Sequence, residues 1–134
     1  MTIKYSNPAG VHNPVGMYSH LVDVTPKRFL FLAGQVAVDQ SGVVVGRDDI
    51  SVQTRKAYEN IGIILNSAGA SFSDIVQVKT YIVGPHNMDG YIESRKEVFD
   101  RIYPEGKCPP NTFLFVSGLF DPDMLIEIEV VAAI

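Results

Sequence analysis

The chain has 134 residues, of which 46% are hydrophobic and 19% charged, with a net charge of −4 and a single cysteine, Cys108. This balance fits one folded domain over residues 1–134 and excludes a disordered chain. The acidic excess disfavours nucleic acid or an anionic membrane as the main partner, and one cysteine excludes an intrachain disulfide.

"MTIKYSNPAG" has no apolar stretch of the signal-peptide kind, and no apolar run approaches the ~20 residues of a spanning helix, so a cytoplasmic protein is the expectation. Along the chain, "MYSHLVDV" (17–24) reads as the hairpin partner of the Phe- and Val-rich run "RFLFLAGQVAV" (28–38), turned by "TPK". Gly42, in "DQSGVVVG", is the expected positive-φ turn residue. A helix follows, capped by Asp48, Asp49 or Ser51 and stopped at Gly69, with a stripe of Ala57, Ile61, Ile64, Leu65 and Ala68. "DIVQVKTYIV" (74–83) reads as a strand that "GPHN" breaks. A second helix spans 88–102, with Asn87 as its candidate cap. Strands over 111–119 and 124–133 close the chain, giving β-β-α-β-α-β-β, a two-layer α/β (α+β) domain.

Strand side chains alternate between faces. Over 28–38, Phe29, Phe31, Ala33 and Gln35 share one face, and Leu30, Leu32, Gly34 and Val36 the other. Over 111–119, Phe113 and Phe115 oppose Leu114 and Val116. Both faces are apolar, yet two helices cover only one. The open face would exceed the few hundred Å² of apolar patch that a monomer tolerates, which predicts a homo-oligomer with sheets turned inward. The alternative cover, residues 1–16, is short and polar.

In "MLIEIEVVA", Ile126, Ile128 and Val130 share a face and Glu127 and Glu129 share the other, so both carboxylates would point toward the partner subunit. A carboxylate there could serve as general acid or base or orient a water; the competing reading is an interface salt bridge or a solvated strand end. His12, His20 and His86 lack metal-ligand spacing, Cys108 lacks a nucleophile motif, and neither GxGxxG nor HExxH is present. Gly34-Gln35 inside an apolar strand marks a bulge or a close backbone approach to a ligand, and Tyr18 either lines the same cleft or packs.

"PVGMYSH", "FLFLAGQVAVDQSG", "AGASFSDIVQVKTYIV", "PPNTFLFV" and "IEIEVVA", in this order, resemble the Rid (YjgF) family, also called the L-PSP endoribonuclease family, over residues 14–133. The resemblance implies a chorismate-mutase-like fold, with a mixed sheet carrying two helices on one face, and a homotrimer with small-molecule clefts between subunits. It implies hydrolysis of reactive imines and enamines, such as 2-aminoacrylate, to keto acids and ammonia, without cofactor or metal. The position at which active members carry a carboxylate-gripping arginine is Asn111, a neutral amide in place of a bidentate cation. Phe113 replaces a cysteine, Ala33 a serine and Ile92 an asparagine, whereas Tyr18, Gly34 and the water-positioning Glu127 are kept.

None of Arg28, Arg47, Arg55, Arg95 and Arg101 occupies a position the motif predicts. The resulting expectation is a Rid-type hydrolase or deaminase of altered specificity, with ordinary 2-imino acid deamination weak or absent. In it Glu127 is catalytic, and Tyr18, Ala33, Gly34, Ile92, Asn111 and Phe113 bind substrate. The second reading is a non-catalytic trimeric metabolite-binding protein. The third, an endoribonuclease, suits the −4 charge poorly.

Overall fold

The alternation in "IEIEVVAA" organises the whole architecture. In the computed structural model, which describes residues 2–134, this segment is β7 (Ile126–Ala133). Ile126, Ile128, Val130 and Ala132 are buried in the core. A period-2 segment with one fully apolar face belongs against a helical layer, and that is its position here. β3 (Phe29–Phe31) and β4 (Gln35–Val36) pair antiparallel with one edge of β7, and β5 (Ile75–Val83) pairs antiparallel with the other. β6 (Asn111–Val116) runs parallel to β5. A parallel pair needs a crossover, which α2 (Met88–Ile102) supplies. α1 (Ile50–Ser67) links β4 to β5 in the same way.

Local chemistry sets the helix limits. Asp49 accepts a hydrogen bond from the Val52 amide at 3.1 Å and caps α1. Gly69, at φ +75°, ends it. Asn87 precedes α2 without capping it through its side chain; its amide donates instead to the Val83 carbonyl at 2.8 Å. Gly42 has the expected positive φ, +80°.

The structure corrects two expectations. Met17–Val24 does not form a hairpin with the strand after it: β2 (Leu21–Val24) pairs with β1 (Ile3–Ser6), a strand absent from the sequence reading. Beyond the "TPK" turn the chain is captured by the end of the chain instead, where the Lys27 and Arg28 amides both donate to the Ile134 carbonyl at 3.0 and 2.9 Å. Residues 28–38 are also not one strand. Phe31 pairs with Val131 and Gln35 with Ile128, so the three residues between them on one side oppose two on the other, a β-bulge. The bulge moves Val36 to the face of Phe29 and Phe31, opposite Glu127, where simple alternation puts it with Leu30 and Leu32.

The helices cover the Ile126–Val130 face. Phe29, Phe31 and Leu114 on the other face are exposed, Phe31 to 78%. Within the core, Tyr58 packs edge-on against Phe99 with ring centroids 5.6 Å apart, yet its buried hydroxyl has no hydrogen-bond partner. Burial holds its pKa well above the ordinary value of 10.0. Removing an unsatisfied hydroxyl from a well-packed ring removes a desolvation cost, so Tyr58→Phe is expected to stabilise the fold by roughly 1 kcal/mol in urea denaturation. The raised folded pKa has a further consequence. The unfolded chain loses this proton near pH 10 while the folded chain keeps it, so the tyrosine's contribution is full below pH 10 and falls as pH rises beyond it. Tyr58→Phe should therefore flatten the alkaline limb of the stability profile.

Candidate functional site

Pro109 and Pro110 keep the chain extended into β6, whose register sets Asn111 beside Val78 and Phe113 beside Thr80 on the helix-covered face. The Tyr91 hydroxyl on α2 donates to Thr80 Oγ1 at 3.4 Å, and Thr80 Oγ1 donates to Asn111 Oδ1 at 3.1 Å. This relay orients the amide: its oxygen is engaged, and Nδ2 is buried without a partner. Phe113 stacks on Tyr91 with centroids 5.4 Å apart, so the two rings form an apolar floor.

Above this floor lies a cavity of about 190 Å³ between the loop carrying Val15, Gly16 and Tyr18, the Met88–Arg95 stretch of α2, and the start of β6. Tyr18 is held in the loop by accepting a hydrogen bond from the Val15 amide at 3.3 Å. Arg95 reaches the same cavity, its Cζ 5.4 Å from the Tyr91 ring centroid.

A second cluster occupies the opposite face of the sheet, with β5 in between. Gly34, Tyr81, Leu119, Glu127 and Glu129 line an open depression of about 260 Å³. Tyr81 donates to Glu129 at 3.1 Å, and this bond is the first cause of the raised Tyr81 pKa. Gly34 sits at the bulge directly against Glu127. A β-carbon built there would meet Glu127 Oε1 and lie 2.8 Å from Cδ and 2.9 Å from Cγ, so the absence of a side chain is what admits the carboxylate.

Of the residues singled out from the sequence, Tyr18, Ile92, Asn111 and Phe113 thus surround one cavity and Gly34 and Glu127 the other. Ala33 lines neither and is exposed; its carbonyl accepts from Gln35 Nε2 at 3.1 Å across the bulge. Arg95 and Tyr91 were not placed by sequence reasoning, although Arg95 follows Ile92 by three positions and so shares its helix side. Cys108 is buried, and burial raises its thiol pKa, the behaviour of an inert packing residue. Among the described residues no group of three or more His, Cys, Asp or Glu side chains is arranged to hold a metal ion. Nor is any helix long and apolar enough to cross a membrane.

The family model for Endoribonuclease L-PSP matches residues 10–134. A RutC family protein of Pyrococcus abyssi is 35% identical over 119 residues, covering 89% of this chain and 87% of the relative. Among solved structures, the Rid family protein YyfB of Yersinia pestis, a protein of unknown function, superposes with a TM-score of 0.87 at 32% identity, covering 100% of both chains. E. coli TdcF with bound serine gives a TM-score of 0.70 at 27% identity, covering 99% of this chain and 98% of that one.

Proposed function

Because the chain belongs to the endoribonuclease L-PSP family, the group also called Rid or YjgF, we propose that it is a cofactor-independent hydrolase of small imine- or enamine-like metabolites, with its sites between the subunits of a homotrimer. The observation that carries this reading is the division of the candidate residues. Asn111 and Tyr18 lie on one side of the sheet and Glu127 on the other, so neither cluster alone contains both a substrate grip and a carboxylate. A closed ring in which the open face of one subunit meets the next would juxtapose unlike clusters at each interface. The exposed Phe29, Phe31 and Leu114 supply an apolar reason for that face to be covered.

In the assembled cleft, Glu127 of one subunit takes a proton from a water that attacks the imine carbon. As the carbon–nitrogen double bond opens, protonated Glu127 gives that proton to the nitrogen, completing a carbinolamine, and then relays the carbinolamine's hydroxyl proton to the same nitrogen. Ammonia leaves as the carbonyl forms. Asn111 and Tyr18 of the neighbour hold the substrate. The serine bound to TdcF is an amino acid of the right size for such a site. A net charge of −4 and a cavity of about 190 Å³ favour a small ligand over RNA.

The test generates imines in situ, 2-imino acids from an amino-acid oxidase and neutral imines from an amine oxidase, and follows carbonyl formation. Acceleration of either class that is lost in Glu127→Ala is the expected result. No acceleration by a folded oligomer would reject hydrolysis and leave a metabolite-binding role.

A further inference from the structure

Within that family reading, we infer that Arg95, delivered from α2, is the carboxylate anchor of the cleft and takes over the task for which β6 carries only a neutral amide. The other arginines are engaged or remote. Arg28 donates to the Ala68 carbonyl at 2.9 Å at the end of α1. Arg47 pairs with Asp123 at 2.9 Å and Arg55 with Glu97 at 3.5 Å. Arg101 is exposed near the end of α2 and does not line the cavity. Arg95 does line it, has no carboxylate within ion-pair distance among the described residues, and keeps its Nε buried without a partner.

The surroundings hold this guanidinium in place. Its plane lies over Tyr91, which is itself stacked on Phe113. Gly16 lets it close under the loop, since a β-carbon there would come within 3.3 Å of Arg95 Nη2. Asn111 adds a second donor to the same cavity. Its oxygen is occupied by Thr80, so Nδ2 is the group left without a partner. No acidic side chain lines the cavity. Two buried, unanswered donors and no carboxylate in the lining describe a site that suits an anion. A carboxylate satisfies both, bidentate on the guanidinium and supported by the amide. The small cavity, walled by Ile92, Phe113 and Met88, restricts the ligand to a short aliphatic 2-oxo or 2-imino acid. On this assignment the carboxylate grip has moved from strand to helix, and deamination of small 2-imino acids depends on Arg95.

Binding of 2-oxobutanoate and of its neutral amide, followed by calorimetry on the full chain and by NMR shifts, tests this. The expected result is a preference for the acid, with Arg95→Met weakening acid binding by about tenfold or more and amide binding much less, so that the preference is lost. Arg95→Lys, which keeps the charge and loses the fork, should fall between. Thermal melting and oligomer mass of both variants exclude a folding defect. Equal acid binding by wild type and Arg95→Met, preference for the amide, or no acid binding by wild type at millimolar concentration would each overturn the assignment. Arg95-dependent binding without imine hydrolysis would uphold the anchor and reject the hydrolase. Glu127-dependent hydrolysis of 2-imino acids that is indifferent to Arg95→Met would do the reverse.

Discussion

Gly34→Ala is expected to reduce imine hydrolysis by about 10²-fold or more while changing folding stability by less than about 1 kcal/mol, two effects that seldom separate so widely. The reason lies in which atoms the new methyl meets. All three nearest belong to the Glu127 side chain, and none is backbone. A flexible carboxylate can swing aside at small energetic cost, so the fold survives. Gly34 is not among the glycines at positive φ, so alanine adds no backbone strain either. The carboxylate that has swung aside is the one proposed to take the water's proton, and displacing a general base of this kind forfeits most of its contribution. Initial rates and urea denaturation of the purified variant, set beside Glu127→Gln, provide the measurement. Near-wild-type turnover in Gly34→Ala would show that the position of Glu127 does not matter to the reaction. A matching loss in both variants with an unchanged denaturation midpoint is the expected pattern.

The elements were legible wherever local chemistry and burial agree. "IEIEVVAA" alternates strictly because one face packs on the helices, and its reading as a strand with paired carboxylates on the far side holds in the structure. α1 was bounded by Gly69 and by three candidate caps, of which Asp49 is the one used, because caps are short-range features. The bulge was invisible as a change of face. Gly34-Gln35 marked a bulge or a close backbone approach, but where both faces of a strand are apolar, inserting one residue leaves the hydrophobic pattern unbroken, so the change of side at Val36 did not show. Four-residue β1 is too short to stand out, and only its register with Leu21–Val24 defines it. At the site, Glu127 was found from strand alternation and Gly34 from its place inside an apolar strand, while the resemblance gave Asn111 its role; the arginine search looked for a strand position. Arg95 is a surface-like helix residue in sequence. Its place in the cavity follows from how α2 lies against β6 and under the Val15–Tyr18 loop, which is tertiary information.

On the proposed reading, the division of the candidate residues between two faces makes the oligomer itself a catalytic requirement, and Phe31→Glu is expected to abolish both together. Phe31 is 78% exposed on the face without helices, with Phe29 beside it, their ring centroids 6.2 Å apart. Burying such a side chain at an interface contributes about 1.5–3 kcal/mol, and a threefold ring would repeat it at every interface. A glutamate instead brings an unpaired carboxylate to each contact, where desolvation opposes association. Light scattering should then report single chains where the parent protein reports three. The variant should stay folded, since Phe31 makes no part of the buried core. Its Glu127 and Asn111 are both intact, so loss of turnover is the expected result of separating the two clusters. A mixing experiment distinguishes this from subtler damage. Glu127→Ala chains and Arg95→Met chains, each impaired alone in hydrolysis of 2-imino acids, should regain that activity when coassembled. In a random trimer about a quarter of the clefts would receive an intact grip from one chain and an intact Glu127 from the next. Activity near that fraction would place the two halves of each site on different subunits. No recovery in verified mixed trimers would mean that each chain completes its own site, and the assembled-cleft reading would fall.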